Sequence, residues 1–488
     1  MEKKYLKNQL EVILPRVLSN LCRDPLNSDY GCFDRRYWAW HTTIMPDISL
    51  QRQVIILAYF WQDKNSHFYH DKELLSWIVA AIHYWQAKCH LDGSMDQAFP
   101  EEHSWAATGF TLNSIIDTLN IIGRYIDKKN YTDILMAISK SAQFIAENKE
   151  THGIICNHIL GCSLALIKTG KICKNKRYHI SGLNLLHYAF NYYHKEGWFE
   201  EYNGADAGYQ TLALYYLSEI AKHNKLIPKY QKGFFDAIYF VSHFLYPDGS
   251  FSIIGQRRTA VLYPAVLFCR GYLNKIKKLP IELSGIDDGN LAPLAETIIY
   301  CLNNKKYPSS QDRFSNGIHI FYIAGIAIIN TPRQYGAFNL KLGGIGVVFD
   351  KKTNKRIYED GGLMFIKDDN KYSTQGPSHF LFKKNTIQIK GHFYSVPMST
   401  FTTNKLLIGQ LLGNYLFKIS FLRELFKRKL IRSINTTHPL IPFERTIIIH
   451  CGNIAVEDNY EIIHRTIKIL PVDATPIHMA SARYYYEK

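Results

Sequence analysis

The stretch "NNKKYPSSQDRFSNG" (303–317) divides the chain into two kinds of pattern. It is polar, carries a proline, a glycine and three serines, and no apolar period runs through it. Such clusters are turn and linker chemistry. Upstream, apolar residues recur with a helical period. Leu112, Ile115, Ile116, Leu119, Ile122 and Ile126 form one stripe, and Leu212, Ala213, Tyr216, Leu217 and Ile220 form another. Segments of the same kind lie near 50–60, 73–88, 132–147, 158–168, 181–193, 233–245 and 290–302. Turns bearing Gly and Asp separate them, notably "LDGS" (91–94) and "PDGS" (247–250). Repeated helices joined in this way predict stacked helical hairpins, either a solenoid or a closed (α/α) toroid.

Downstream the period changes to that of strands. "HIFYIAGIAII" (319–329), "GGIGVVFDKKTNKRIYED" (343–360), "HFLFKKNTIQIKGHF" (379–393) and "RTIIIHCGNIAVED" (445–458) are β-rich runs broken by hairpin-like turns. They predict an antiparallel β-sandwich over 318–488, following a helical domain over 1–305. Residues 405–432 interrupt it with a basic amphipathic helical pattern. Ile408, Leu411, Leu412, Tyr415, Leu416, Ile419, Leu422 and Phe426 make its apolar face.

At 488 residues, two domains are expected. The formal charge of +16 points to a polyanionic partner: an acidic polysaccharide, an anionic membrane surface or nucleic acid. No zinc finger, RNP motif or Walker loop is present, which ranks nucleic acid last. Nine cysteines without a CxxC pair read as reduced thiols. The opening "MEKKYLKNQLEVILPRVL" lacks a sustained apolar core, and no apolar run reaches the about 18 residues of a spanning helix. The expectation is a cytoplasmic protein, peripheral at the inner membrane if 405–432 binds anionic lipid. No metal and no cofactor is expected.

Five stretches carry candidate chemistry. In "CNH" (156–158), Asn157 is either an N-cap or a ligand group, and His158 can bind a carboxylate or move a proton near neutral pH. In "EEHSW" (101–105), His103 precedes a helix and is either structural or catalytic. "EGWFEEYNGADAGYQ" (196–210) holds Tyr202 and Tyr209, which are either packing aromatics or proton donors. It also holds Glu201, read as a substrate contact or a solvated acid, and Asp206, read as a contact or a helix cap. "DGSFSIIGQRRT" (248–259) offers Arg257 and Arg258, whose guanidinium forks match a carboxylate. "FDRRYWAWH" (33–41) combines Arg35 with Trp38 in a composition suited to stacking sugars.

With these motifs, and with "DGSMDQAFPEEHSWAATGF" (92–110), the chain resembles the heparinase II/III-like polysaccharide lyases, closest to a branch associated with bacterial exopolysaccharide and envelope biosynthesis. That resemblance implies an (α/α) toroid joined to a β-sandwich. It implies cleavage of a uronate-containing glycan by β-elimination, with Asn157 or His158 neutralising the uronate carboxylate, a tyrosine in proton transfer and Arg257 as a further carboxylate partner. Two other functions stay open: hydrolysis on the same scaffold by paired carboxylates, and binding of a glycan or glycolipid without turnover.

Overall fold

The computed structural model describes residues 3–38, 45–151, 153–251, 254, 262–265, 279, 282–304, 316–368, 370–396, 403–435, 438–461 and 467–470. Arg257, Arg258 and residues 305–315 of the predicted join lie outside them.

Up to residue 304 the described regular elements are helices, apart from one short antiparallel pairing of β1 (Tyr193–His194) with β2 (Trp198–Phe199). The α-helices are α1 (Lys3–Asn20), α2 (Val54–Gln62), α3 (Lys72–Ala87), α4 (Trp105–Ile122), α5 (Lys128–Glu147), α6 (Cys156–Ile172), α7 (Lys176–Phe190), α8 (Ala207–His223), α9 (Pro228–Ser242) and α10 (Asp288–Asn303). Each predicted helical segment falls on one of them. Their starts follow local capping chemistry. Asp71, Ser104, Asp127, Asp206 and Asp287 each accept a backbone N–H from the first turn of α3, α4, α5, α8 and α10.

The even-numbered helices form an inner layer. α2 packs on α4, α4 on α6 and α6 on α8, while α3, α5 and α7 neighbour one another outside. Composition explains the division. α4 and α6 are buried nearly all round, whereas α5 buries a single stripe, Ile134, Ile138, Ser141, Ala142 and Ile145. α10 packs on both α1 and α2, so the last helix returns to the first. Arg52 and Glu296 pair inside this array, with Ser114 donating to the same carboxylate.

After the join come antiparallel sheets. The first has five strands in sequential order: β3 (Gly317–Phe321), β4 (Ile326–Asn330), β5 (Gln334–Asn339), β6 (Ile345–Asp350) and β7 (Lys355–Asp360). Its central strands β4 to β6 are buried on both faces, and the two-residue period of a strand shows how. Ile326, Ile328, Tyr335, Ala337, Val347 and Phe349 join the core of the helices. Their alternates Ala327, Ile329, Phe338 and Val348 join Ile387, Ile389 and Ile447 of the second sheet. That second sheet comprises β8 (Leu363–Lys367), β9 (Asn370–Ser373), β10 (His379–Lys383), β11 (Thr386–Ser395), β12 (Pro439–His450), β13 (Asn453–Tyr460) and β14 (Lys468–Ile469). Within it Arg445 is fully buried and held by Asp360 at 2.6 Å and by Asp458 at 2.7 Å.

The insertion differs from the single amphipathic helix predicted over 405–432. It is two helices, α11 (Thr403–Leu411) and α12 (Ser420–Asn435), separated by a wider π turn over Leu412–Leu416. Gly413 lies in that turn against Pro100, so close that a Cβ would sit 3.2 Å from the proline ring. Of the predicted apolar face, Phe426 turns inward onto Phe99 and Phe417. Ile408, Leu411, Tyr415, Leu416 and Ile419 are exposed.

Candidate active site

The stretch 196–210 and the start of α6 are tied together by backbone pairing. Cys156 donates its N–H to Glu200 O, Tyr202 donates to Ile154 O, and Ile155 and Glu201 form an antiparallel bridge. Tyr202 and Asn203 take left-handed backbone angles, φ +53° and +67°, and Glu201 donates its N–H to Gly204 O across that tight turn. Asp206 then caps α8 by accepting the N–H of Tyr209 at 3.0 Å. Residues more than forty positions apart therefore share one corner, at the adjoining starts of α6 and α8.

Asn157, His158, Tyr202 and Tyr209 all belong to this corner. The N-cap of α6 is Ile155, not Asn157. Glu201 supplies the missing acceptor from the other stretch: one oxygen takes the Asn157 N–H at 2.7 Å and the other takes its side-chain amide at 2.8 Å. Glu201 is 1 % exposed. Burial pushes its carboxyl well above the usual range, the Asn157 bonds oppose that, and the nearby Asp206 and Glu150 carboxylates add to it. The expected substrate contacts at Glu201 and Asp206 are thereby corrected: both carboxylates are buried and serve helix starts. His158 directs Nδ1 to Glu150 at 2.9 Å and lies edge-on to Phe110. The Tyr202 and Tyr209 rings are 6.4 Å apart.

Arg35 and Trp38 are not part of the same hydrogen-bonded corner. Arg35 is held by Asn20 at 2.7 Å and by Asp288 at the start of α10. Trp38 is 55 % exposed. The start of α10 does lie towards α8, because Tyr263 donates its N–H to Thr211 and its hydroxyl to Asn290. His103 joins a separate cluster with His90, Asp92 and Glu101. A cleft of about 550 Å3 on the second sheet, lined by residues including His392, Tyr394 and Tyr460, contains none of the predicted residues.

Sequence reasoning missed Glu150 and His90. Glu150 sits in "ENKETHG" (147–153), which reads as a solvated connection, and only the fold brings it to His158.

Chemically, the corner holds a carboxylate-bound imidazole, an amide fixed by a buried acid and two phenols, beside helix starts whose N–H groups are taken by Glu200 O, Glu201 and Asp206.

Comparison with known proteins agrees with this architecture. Residues 66–210 match the family described as ulvan lyase N-terminal domain, a span that includes Asn157, His158, Tyr202 and Tyr209. No curated protein matches the chain. Among solved structures, the Streptomyces coelicolor A3 chondroitin AC lyase in complex with chondroitin sulphate superposes with a TM-score of 0.53 at 10 % identity, covering 81 % of this chain and 67 % of that one. Heparinase III gives 0.53 at 11 % identity, covering 87 % and 64 %, and a Paenibacillus xanthan lyase gives 0.51 at 10 %, covering 80 % and 45 %. The chain thus spans about two thirds of the first two and under half of the third.

Proposed function

We propose that this chain, a polysaccharide lyase by its ulvan lyase N-terminal domain and its fold, cleaves an acidic, uronate-containing bacterial glycan by β-elimination. The scaffold is an (α/α) toroid carrying a β-sandwich. The return of α10 onto α1 and α2, and the apolar cluster shared by the two sheets, support that reading. The observation that carries the function is the pairing of 154–156 with 200–202, which gathers an amide, a carboxylate-bound histidine and two tyrosines at two helix starts.

The proton beside a uronate carboxylate is weakly acidic until that carboxylate is neutralised. Asn157 is 1 % exposed and gives its donors to Glu201, so it holds the corner in place, and the neutralisation falls to Arg257. His158, oriented by Glu150, takes the C5 proton through its other ring nitrogen. The C5–H electrons form the C4–C5 double bond as the C4–O bond breaks, and the Tyr209 hydroxyl protonates the leaving oxygen. Tyr202 is the alternative donor.

Hydrolysis would need two carboxylates flanking the scissile bond. Here Glu101 faces His103, and Glu102 accepts the Gln97 and Ala98 N–H groups and pairs with Lys427. Glu200 pairs with His194, and Glu201 and Asp206 cap helices. The test is turnover of an acidic glycan from the producing organism, followed by ultraviolet absorbance of the unsaturated uronate. Tyr209→Phe should lower it by about 10²–10⁴-fold while binding persists. New reducing ends without ultraviolet absorbance, or binding without any turnover, would overturn elimination.

A second partner is an anionic lipid surface, met by the insertion. Leu411 and Tyr415 are 62 % and 72 % exposed, and Leu407, Ile408, Ile419, Phe421 and Leu425 are exposed beside them. Lys418, Arg428 and Lys429 are exposed on the same segment, a charge complement to anionic headgroups. Among the described residues no helix is long and apolar enough to cross a membrane. An interfacial position at the inner membrane is the arrangement we propose.

A further inference from the structure

We propose that His90, Glu101 and His103 form a divalent-metal site of the zinc class just before α4, which takes His103 out of the catalytic set. One donor atom from each residue lies within 4.8 Å of the other two. His103 Nε2 and Glu101 Oε2 are already 3.5 Å apart. That is close to the separation of two ligands about 2.0–2.2 Å from a tetrahedral ion. The His90 and His103 rings stack with centroids 4.3 Å apart.

Each ring also has a carboxylate behind it. His103 Nδ1 meets Asp92 at 2.7 Å, and His90 Nε2 meets Asp96 at 2.9 Å. A neutral imidazole that donates one N–H to a carboxylate keeps a lone pair on its other nitrogen, the arrangement that metal-bound histidines use. Asp96 additionally accepts the N–H groups of Glu101 at 2.8 Å and His103 at 2.9 Å, which fixes the loop carrying two of the ligands. Two imidazoles with one carboxylate suit zinc better than calcium or magnesium, which prefer oxygen alone. The fourth position falls to water. A bound ion would pin the loop on which the insertion rests, since Phe99 and Glu102 between these ligands contact Phe417, Phe426 and Lys427.

The test uses untagged full-length protein, loaded with Zn2+ and dialysed into metal-free buffer. We expect about one zinc per chain by elemental analysis, and visible ligand-field bands when Co2+ replaces it, as a site with three protein ligands requires. His90→Ala and His103→Ala should each weaken Zn2+ binding by about 100-fold or more, and Asp92→Asn by about 10–100-fold. Glu101→Gln keeps the side chain's size and should also lose the ion, so it serves if a histidine variant fails to fold. Wild-type protein that retains no zinc and gives no Co2+ bands overturns the proposal. So does undiminished Zn2+ retention in folded His90→Ala, His103→Ala and Glu101→Gln.

Discussion

Glu201→Ala should be among the more damaging substitutions in the helical region. The carboxylate is 1 % exposed and accepts two hydrogen bonds, from the Asn157 backbone at 2.7 Å and its amide at 2.8 Å. Alanine leaves both donors buried without an acceptor, at about 1–3 kcal/mol each, so the expected loss is about 2–6 kcal/mol. Glu201→Gln keeps the shape and an acceptor, and the Asn157 amide can flip to match it, so its cost should stay below about 2 kcal/mol. The two variants also separate by pH. Because the folded-state pKa lies above the unfolded one, the folded chain binds the extra proton. This contribution to stability is complete below the unfolded value of about 4.3 and is lost as pH rises towards the folded value. Glu201→Gln cannot ionise and should flatten that decline. Urea unfolding at several pH values, followed by tryptophan fluorescence with Trp198 buried in the same stretch, reads both effects. Glu201→Ala within about 1 kcal/mol of wild type, or an unchanged pH slope in Glu201→Gln, would refute the buried-cap reasoning.

Glu150→Gln removes the anionic partner of His158 and should reduce glycan turnover by about 10–100-fold with little change in unfolding; unaltered turnover would remove His158 from the proton-transfer role. Limited proteolysis should nick the chain within 303–317, between the end of α10 and the start of β3, and first cleavage inside 100–290 would contradict the proposed boundary. The intact protein should float with anionic liposomes and be released by salt, and Leu411→Asp combined with Tyr415→Asp should abolish flotation. Flotation by the double variant equal to wild type would place the lipid contact elsewhere.

Periodicity made the inner helices and the hairpins legible because both are local. "FLFKKNTIQI" (380–389) pairs through the turn that its polar centre predicts, with Phe382 opposite Ile387. The corner was legible only as separate pieces. That Asn157 needs Glu201, and His158 needs Glu150, depends on pairing between 154–156 and 200–202, which no spacing in either stretch encodes. Glu201 misled for a physical reason: an acid beside Glu200 in a polar loop has the composition of a solvated group, yet its role is inside. The insertion was read as one helix because its apolar residues hold their period through Gly413. At its break Gly413 lies against Pro100, from more than three hundred residues earlier in the chain.

The five-stranded sheet has a bearing on how this protein can be dissected. Its strands present apolar side chains to the helices on one side and to the second sheet on the other. A fragment ending at the last helix would leave its wall of Phe240, His243 and Tyr246 bare where Phe321, Tyr335 and Phe349 now lie. Such a fragment should be poorly soluble, and a chain nicked in the join should travel as one particle until denatured. A cut after β7 would in the same way bare Ile329, Phe338 and Val348, which pack on Ile387, Ile389 and Ile447, so the candidate site keeps its native setting only in a piece that carries both sheets.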